Sequence, residues 1–581
     1  MNNNKTLIAI AAGLVAASLL AACGAGSPSD ASSATKPTLL ATTGTETFAL
    51  TSDTNFYTID TGAGLVFKVR RTDNGVSTQS AGDISSMVFN GVEYQDQSRG
   101  TQLNSGADFL YTGVSAVGVA ATTVGTDYIK VTVTAGNLTH YYMAHRGDAK
   151  IYMGTYFTSE PDTLNLARFI VRVPVGVLPN GPGPSDIRAN TGAVESSDVF
   201  GYANGQTRSK HYSNQRLKDW SYIGATGTNV GMWMVRDNNE GNSGGPFFRS
   251  LMNQCTDTNQ EITYIMNYGE SQTEAFRFGV LNAYTLVFKG DTAAPAAVDT
   301  SFFSTMGLLG YVAPTGRGRV AGVGINNRDT NFAYTVGFSN PNAQYWTAAD
   351  PTTGSYNMTG MRPGTYTMSI YKNELAVDTR TVTVTAGGTL ALNTITLAGD
   401  PTKANQLWRI GNWDGSPQEF VNGSQLTTMH PSDVRMSSWN TPTYVVGTSN
   451  AATGWPAYQW KSVNDNRVIT FNLTAAQAAT NYTLRVGITT AFSGARPKPT
   501  ITNASTTWTP ANPSSSTQPS TRNMTVGTYR GNNFTWTWDI PAGTLVAGQN
   551  TVTLAAISGS TGTTYLSPGI SYDAVDMIPT P

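Results

Sequence analysis

The sequence has few of the residues on which metal centres and disulfide frameworks depend. Only two cysteines and four histidines occur among its 581 residues. Two cysteines exclude a framework of several disulfide bonds, and Cys255 is expected to be a buried structural thiol rather than a nucleophile. The histidines, His140, His145, His211 and His430, form no cluster with cysteine. Zinc chemistry and cysteine-based catalysis are therefore not expected.

Charge is also scarce, and neither sign dominates. Charged residues make up 13% of the chain, and 36 Lys+Arg against 37 Asp+Glu leave a net charge of -1. This balance excludes the bulk electrostatic attraction of a nucleic-acid-binding protein. The chain is instead rich in glycine and aromatic residues, with 59 Gly, 26 Tyr, 21 Phe and 11 Trp. Such a composition indicates a folded, extracellular all-β protein, and the length indicates several domains.

An apolar stretch long enough to suggest a targeting signal occurs only near the N-terminus. It runs from Leu7 to Leu20, follows the positive charge of Lys5, and is short for a membrane span. It ends in Leu-Ala-Ala-Cys at Cys23, which resembles a bacterial lipobox. In a lipobox the cysteine is acylated and becomes the new N-terminus.

We therefore predict a lipoprotein signal peptide over residues 1–22, lipidation at Cys23 and a flexible tether over residues 23–42. The protein would then be anchored in the bacterial cell envelope, at the outer membrane or the cell surface. Two alternatives remain at this stage. An ordinary signal peptide cut near Ala22 would give a secreted protein, and the apolar stretch could also be a short membrane anchor.

The rest of the chain shows short alternating strands separated by Gly, Asn and Asp turns. Residues 127–135 and 150–158 are examples with a period of two. Hardly any segment sustains a helical period. We predict an all-β protein, expected to be monomeric, with a large β-sandwich over 43–291, a small sandwich over 300–397 and a strand-rich unit over 405–581.

Basic side chains are concentrated in the segment 206–218. It contains Arg208, Lys210, His211, Arg216 and Lys218. If the segment begins as an extended strand, Arg208, Lys210 and Tyr212 share one face, and His211 lies on the other.

A second basic pair lies upstream, in a strand-like stretch. Arg168 and Arg172 share one face, opposite an apolar row formed by Phe169, Val171 and Val173. Together with the segment 206–218, this pair suggests an anion site. The alternative interpretation is two solvated strand faces with no ligand.

A basic site that includes lysine suits elimination on a uronic acid. The C5 proton is α to the C6 carboxylate and is weakly acidic. An arginine can neutralise that carboxylate through two parallel hydrogen bonds and stabilise the enolate-like transition state. A lysine among other cations loses its proton more readily, so its neutral amine can act as the base.

Several motifs resemble those of polysaccharide lyase family 4, the rhamnogalacturonan lyases. Those of the first domain are Gly205–Arg216, Gly244–Arg249 and Met266–Arg277. The segment Met361–Met368 is similar to the family's fibronectin-III-like domain. The segments Leu407–Pro417 and Met429–Trp439 are similar to its C-terminal carbohydrate-binding jelly roll. The resemblance covers nearly the whole chain after the tether, in the family's domain order.

The resemblance implies β-elimination of rhamnogalacturonan I at rhamnose–galacturonate linkages. The family's essential lysine matches Lys210, and its two substrate-holding arginines match Arg168 and Arg172. Arg208, Tyr212 and Tyr268 are expected to contribute to substrate binding. The chemistry requires no cofactor.

The sequence departs from the family pattern at the second catalytic group. The position of the family's catalytic histidine is Glu270, and two family tyrosines correspond to Thr263 and Ile265, although Tyr264 and Tyr268 lie close by. Phe248 also stands where many relatives have histidine.

Three interpretations of this departure remain open. Glu270 takes over the second proton transfer, because proximity to the uronate carboxylate would keep it partly protonated. Alternatively, His211 compensates. In the third, activity is reduced or lost and the protein is a surface glycan-binding lipoprotein.

The C-terminal domain is expected to bind carbohydrate without performing chemistry. Asp573 and Asp576 lie close together in the sequence and could help to hold a structural calcium. Two carboxylates are too few to define a metal site, so the metal content stays unknown.

Overall fold

The computed structural model of the protein describes residues 47–580 apart from 77–78, 105–108, 112–115, 162–165, 243, 268–273, 515–522 and 528–531. The predicted signal peptide, the lipidation site Cys23 and the tether lie outside the described residues. Tyr268 and Glu270 lie outside them as well. Among the described residues, no helix reaches the length and hydropathy needed to cross a bilayer.

Nineteen strands make up the N-terminal β-sandwich. They are β1 Phe48–Ser52, β2 Phe56–Thr61, β3 Leu65–Arg70, β4 Ile84–Phe89, β5 Val92–Glu93, β6 Gln102–Asn104, β7 Gly118–Val124, β8 Tyr128–Ala135, β9 Leu138–His145, β10 Lys150–Phe157, β11 Ala167–Pro174, β12 Gly192–Glu195, β13 Val199–Gly201, β14 Thr207–Arg208, β15 Tyr222–Gly227, β16 Val230–Arg236, β17 Leu251–Cys255, β18 Asn259–Asn267 and β19 Asn282–Lys289.

These strands form sheets that share one core. A seven-stranded sheet has the order β15-β16-β19-β10-β9-β8-β7, and a four-stranded sheet has the order β17-β18-β11-β6. Strands β1 to β5 form a five-stranded meander, and β12, β13 and β14 form a small separate sheet. The apolar row of β11 (Phe169, Val171 and Val173) is fully buried in the core that the larger sheets enclose. Burying each such side chain contributes roughly 1.5–3 kcal/mol.

The second domain is a smaller sandwich. Its strands are β20 Gly318–Gly322, β21 Ile325–Asn326, β22 Tyr334–Ser339, β23 Gln344–Ala348, β24 Tyr356–Met361, β25 Gly364–Lys372, β26 Leu375–Val384, β27 Thr389–Leu392 and β28 Ile395–Thr396. The sheets have the orders β23-β22-β25-β26, β24-β20-β27 and β21-β28.

The third domain has two five-stranded sheets facing one core. Its strands are β29 Trp408–Gly411, β30 Tyr444–Val445, β31 Tyr458–Trp460, β32 Arg467–Leu473, β33 Tyr482–Phe492, β34 Arg496–Thr502, β35 Thr507–Trp508, β36 Phe534–Ile540, β37 Gly548–Ile557 and β38 Gly569–Pro579. One sheet has the order β29-β38-β33-β36 with β31 also paired to β38, and the other has the order β30-β32-β37-β34-β35.

Helices are few and short in the part of the chain that the structure describes. Three four-residue α-helices, α1 Ala451–Gly454, α2 Ala475–Ala478 and α3 Asn523–Val526, all lie in the third domain. One-turn 3-10 helices occur at Gly183–Ser185, Lys210–Ser213, Ser301–Thr305, Pro314–Gly316, Pro401–Lys403, Gly423–Gln425 and Thr564–Leu566. The prediction of an all-β protein is therefore confirmed.

The segment that follows β19 packs on the first domain. The ring of Phe302 stacks on Tyr128 with centroids 4.8 Å apart, and it meets Tyr152 edge-on at 4.9 Å. The sequence-based boundary at residue 300 placed this aromatic contact in the second domain. The structure places it on the first sandwich, because the ring covers an apolar patch of the seven-stranded sheet.

Candidate active site

The candidate site is built on the four-stranded sheet of the first domain. Strand β11 carries Arg168 and Arg172 on the face opposite the core row. On the neighbouring strand β18, Arg168 lies opposite Ile265 and Arg172 lies opposite Glu261. The alternation of β11 therefore places both arginines where the sequence pattern predicted, on the side of the sheet away from the core.

Arg168 is half-buried and oriented by a neighbouring strand. Its Nε donates a hydrogen bond of 2.7 Å to Oδ1 of Asn104, which lies opposite it on β6. The amide fixes one edge of the guanidinium, and the side chain as a whole keeps partial exposure. Such a group is suited to contact a carboxylate.

Arg172 is fully buried, in contrast to its neighbour on the same strand face. Its Nη1 donates to the Gly100 carbonyl oxygen at 2.6 Å, and its Nε lies 3.8 Å from Oε1 of Glu261. Burial lowers the pKa of Arg172 to about 10, and the nearby Arg99 adds to that decrease. The expectation that Arg172 touches the substrate therefore meets a physical obstacle, because the loop containing Gly100 covers its guanidinium.

The Lys210 segment adopts a local structure that differs from the predicted strand. Strand β14 ends at Arg208, and residues 210–213 form a one-turn 3-10 helix. Ser209 caps this turn, since its Oγ accepts a hydrogen bond from the His211 N–H at 3.2 Å. The prediction that Arg208, Lys210 and Tyr212 share one strand face is wrong, because a turn does not alternate with a period of two.

The turn lies along the outer edge of β17. The Ser213 hydroxyl donates to the Asn253 carbonyl oxygen and accepts from the Asn253 N–H, each at 3.0 Å. Only β18 separates β17 from β11, the strand of Arg168. Because neighbouring strands lie about 4.8 Å apart, β17, which the turn contacts, lies about 10 Å from β11. The structure therefore brings Lys210 and Arg168 to the same sheet.

Lys210 is paired with a carboxylate that the sequence analysis missed. Its Nζ lies 3.0 Å from Oδ1 of Asp198, and the two side chains are 27% and 22% exposed. His211 Nε2 lies 4.0 Å from the same oxygen. Strand parity had placed His211 on the face opposite Lys210, and the 3-10 turn instead brings both side chains to Asp198.

Strand register explains the position of Asp198. Phe200 on β13 pairs with Arg208 on β14, so Asp198 and Lys210 each lie two residues beyond that pair. Antiparallel strands bring such residues together. No feature of residues 196–198 signals this contact, because it depends on the pairing of β13 with β14.

Two other predicted binding residues, Arg208 and Tyr212, have contacts within the protein. Arg208 donates from Nη1 to the Asp186 carbonyl oxygen at 2.9 Å and lies over the Tyr202 ring at 4.6 Å. Tyr212 is buried, and its hydroxyl donates to the Thr525 carbonyl oxygen of the third domain at 2.6 Å. Tyr212 therefore joins two domains in this structure, while Arg208 remains half-exposed.

Three of the positions at which the sequence departs from the family pattern, Thr263, Ile265 and Phe248, are described by the structure and are buried. Thr263 and Ile265 lie on β18 between the strands of Arg168 and of the Lys210 turn, and both are almost inaccessible. Phe248 is buried against Leu217. Cys255 is also buried, and burial raises the pKa of its thiol to about 11, which agrees with the predicted structural role.

In the third domain, the two aspartates of the calcium hypothesis already have protein partners. Asp576 accepts from Trp413 Nε1 at 2.8 Å and forms an ion pair with Arg485 at 2.6 Å. Asp573 accepts the backbone N–H groups of Asp414 and Gly415. Within the part of the chain that the structure describes, no group of three or more His, Cys, Asp or Glu is arranged to hold a metal. The structural calcium stays a prediction.

Three family models match the chain consecutively. Residues 48–310 match "Rhamnogalacturonan lyase B, N-terminal", residues 316–392 match "Polysaccharide lyase family 4, domain II", and residues 406–577 match "Polysaccharide lyase family 4, domain III". The chain belongs to polysaccharide lyase family 4. The predicted family is thus confirmed, and so is the prediction of a polysaccharide lyase.

Curated relatives match over most of their length. The chain is 39% identical to rhamnogalacturonate lyase A of Emericella nidulans over 536 residues, which cover 91% of this chain and 96% of that protein. It is 39% identical to rhamnogalacturonate lyase A of Aspergillus aculeatus over 534 residues, with the same coverage of each chain. It is 40% identical to the probable rhamnogalacturonate lyase A of Aspergillus terreus over 527 residues, covering 90% and 93% of the two chains. These relatives are fungal, so they do not bear on the predicted bacterial lipid anchor.

Proposed function

We propose that the protein cleaves rhamnogalacturonan I by β-elimination at rhamnose–galacturonate linkages. In this proposal Lys210 is the base, Arg168 binds the uronate carboxylate, and Glu270 protonates the leaving oxygen. The observation that carries the proposal is the position of the Lys210 turn beside β17, in the sheet that presents Arg168. The similarity to rhamnogalacturonate lyases supports the choice of polymer.

The proposed reaction uses these groups in a defined order. After its own proton has passed to solvent, the Lys210 amine takes the C5 proton of the galacturonate unit. The electron pair of that C–H bond forms the C4–C5 double bond, and the C4–O bond to rhamnose breaks. Arg168 stabilises the negative charge that builds on the carboxylate, and the departing oxygen takes a proton from Glu270.

We propose that Asp198 and Arg172 act as positioning residues. The Asp198 carboxylate holds the amine of Lys210 at one place at the edge of the sheet. The Nε of Arg172 lies 3.8 Å from Oε1 of Glu261, and Nη1 of Arg99 lies 3.2 Å from the same oxygen. Arg172 would therefore help to hold the Glu261 carboxylate in place. Arg208 lies at the half-exposed border of the same region and is proposed to contact neighbouring sugars.

A product assay tests the reaction type. The mature chain is incubated with rhamnogalacturonan I, with homogalacturonan and with alginate, and the ultraviolet absorbance of a conjugated unsaturated uronate is followed. We expect absorbance to rise with rhamnogalacturonan I, together with a 4,5-unsaturated galacturonate end detected by mass spectrometry. Cleavage that yields saturated ends would contradict an elimination.

The alternative function is glycan capture without catalysis. It is favoured by the two positions of β18 where the family has tyrosines, because Ile265 has no hydroxyl and Thr263 is buried. Affinity electrophoresis in gels containing rhamnogalacturonan I distinguishes the two functions. Retardation without any new absorbance would establish a binding protein.

We propose, on the lipobox-like sequence alone, that the protein is lipid-anchored to the bacterial envelope through Cys23. Phase partitioning in Triton X-114 tests the anchor. We expect the wild-type protein in the detergent phase and Cys23→Ser in the aqueous phase or uncleaved. A wild-type protein that partitions into the aqueous phase would indicate secretion after an ordinary cleavage.

A further inference from the structure

A cavity of about 270 Å³ lies where the three domains meet, away from the Asp198 side of the Lys210 turn. The first domain contributes Asn214, Arg216 and Arg249 to its lining, and the second contributes Glu374. The third domain contributes Tyr458 and parts of two loops, over 415–418 and 423–428. The volume is slightly below the range typical of drug-sized ligands, which suits a ligand of one or two sugar rings.

The charges around this cavity cancel. Arg216 donates to Asp219 at 2.7 Å and to Glu374 at 2.9 Å. Among the described lining residues, the only other charged side chain is that of Arg249, whose Nη1 donates to the Asn214 carbonyl oxygen at 2.8 Å. Two arginines and two carboxylates give a net charge of zero. The cavity therefore offers no electrostatic advantage to a uronate, in contrast to the basic sheet face.

Asn214 is the residue that most clearly points to a ligand. It is 2% exposed, and neither its side-chain oxygen nor its side-chain nitrogen has a hydrogen-bond partner among the described residues. Each buried polar atom left in this state costs about 1–3 kcal/mol. A ligand with hydroxyl groups would satisfy both atoms, because a hydroxyl both donates and accepts.

Aromatic and hydroxyl groups complete the lining. Phe247 and Tyr458 are aromatic residues of the lining, and Thr489 and Thr490 also line it; the Thr489 hydroxyl donates to Ser571 Oγ at 2.8 Å and keeps its capacity to accept. Burial raises the pKa of Tyr458, so its phenol remains a hydrogen-bond donor. Ring surface next to neutral hydrogen-bonding groups matches a pyranose, which has apolar C–H faces and a rim of hydroxyls.

We propose that this three-domain cavity binds a neutral pyranose unit. The ligand would contact the Lys210 turn directly, because Tyr212 lies in that turn and lines the cavity. Asn214, which also lines the cavity, ends the turn by donating from its backbone N–H to the His211 carbonyl oxygen. The binding itself is independent of the proposed lyase activity. A link between the bound sugar and turnover rests on that activity.

Calorimetric titration of the full mature chain tests the binding. The probes are methyl β-galactoside, methyl α-rhamnoside and methyl α-galacturonate. We expect millimolar binding of at least one neutral glycoside and at least tenfold weaker binding of the uronate. Binding of no neutral glycoside, or equal binding of the uronate, would overturn the proposal.

Two variants locate the binding in the cavity. Ser424→Trp places a large ring at the exposed rim of the cavity and is expected to weaken binding of the neutral glycoside at least tenfold. The control is Ser505→Trp, on an exposed loop of the same domain, which should bind the glycoside as the wild type does. Asn214→Leu should also lose binding without a lower melting temperature, since it removes an unpaired buried amide. If Asn214→Leu does not fold, Ser424→Trp decides, and unchanged binding in that variant would refute the assignment.

The sugar could be a free molecule or a branch of the polymer, and turnover distinguishes the two sources. The ratio of kcat/KM on galactan-branched polymer to kcat/KM on debranched polymer is measured for wild type and Ser424→Trp. A branch in the cavity predicts that the ratio falls at least threefold in the variant. A free ligand predicts the wild-type ratio together with lost glycoside binding. Absence of turnover in the wild type would count against the lyase proposal and would leave the binding result intact.

Discussion

Charged side chains gather in two regions of the molecule, and the two regions use them differently. Around the Lys210 turn, Lys210 and Asp198 face each other as an ion pair that is about one quarter exposed. In the third domain, Asp414, Glu419 and Asp573 form a group of carboxylates in which Asp414 raises the pKa of both others. The first arrangement is open to a polymer, and the second is closed.

The closed region holds a loop to the core by means of buried carboxylates. Asp573 is 1% exposed, and its Oδ1 accepts the backbone N–H groups of Asp414 and Gly415. Burial raises the pKa of Asp573 well above its usual value, and the neighbouring Asp414 raises it further. Burial, followed by Asp414, raises the pKa of Glu419 to about 7. These acids have a structural role, and burial favours their protonated forms in the folded state.

The same contrast recurs on a single strand, between Arg168 and Arg172. Arg168 is half-buried and oriented by an amide, whereas Arg172 is fully buried beneath a loop. Exposure and partner type therefore separate charges available for chemistry from charges used for folding. Each of the following predictions tests that separation.

The largest effect is expected at Lys210. Lys210→Ala removes the proposed base, and loss of a general base costs about 10²–10⁴-fold in rate. The matched control is Lys218→Ala, which removes a lysine of the same segment that pairs with Asp219. We expect kcat to collapse only in the first variant, with polymer retardation unchanged in affinity gels. Near-wild-type elimination by Lys210→Ala would refute the assignment of the base.

Arg172 should act mainly on stability. Arg172→Met leaves the buried Gly100 carbonyl oxygen without its donor, so we expect a loss of about 1–3 kcal/mol in the free energy of unfolding. Urea denaturation followed by tryptophan fluorescence measures it. A variant that unfolds like the wild type and yet loses turnover would show that Arg172 reaches the substrate.

Glu270 should matter for turnover and for its pH dependence. A carboxylic acid that donates to the leaving oxygen must be protonated, so we expect elimination to be fastest below neutral pH. Glu270→Gln keeps the size and removes the acid, and should slow kcat about 10²-fold. Glu270→His should shift the optimum upward. If the rate and the pH profile of Glu270→Gln match the wild type, the second catalytic group lies elsewhere.

Arg168 should affect turnover without affecting stability. Arg168→Lys keeps the charge and loses the planar fork, so the uronate carboxylate would be held by a single point charge. We expect kcat/KM to fall roughly tenfold to 10²-fold with an unchanged unfolding midpoint. Full activity in Arg168→Lys would indicate that Arg168 lies on a solvated strand face and does not bind the substrate.

The sequence was sufficient to predict the strand pattern of the first domain but not the exposure of its arginines. The alternation around Phe169 correctly placed Arg168 and Arg172 on the face away from the core. It could not distinguish the two arginines, because the loop that covers Arg172 comes from about 70 residues earlier in the chain. Local periodicity contains no information about such a distant segment.

The Lys210 turn shows a second limit of local patterns. A single hydroxyl cap by Ser209 ends strand β14 and turns the chain, which brings His211 to the side of Lys210. Asp198 could be found only from the pairing of β13 with β14. The family motif identified Lys210 as a candidate, and three-dimensional packing was needed to identify its carboxylate partner.

The smallest effect on turnover is expected in the closed region, at Glu419. Its folded-state pKa of about 7 lies above the usual value of 4.5, so the folded state binds this proton more tightly than the unfolded state. Stability from this group is therefore fully present below about pH 4.5 and is lost as the pH rises towards 7. Glu419→Gln cannot ionise, so the decline in unfolding free energy between pH 5 and pH 8 should become shallower by about 2–3 kcal/mol. Urea titrations at both pH values measure this slope, and Glu160→Gln, at an exposed position in the first domain, should leave it unchanged. An equally steep decline in Glu419→Gln would assign the pH dependence to Asp414 and Asp573, whose pKa values are raised by the same burial.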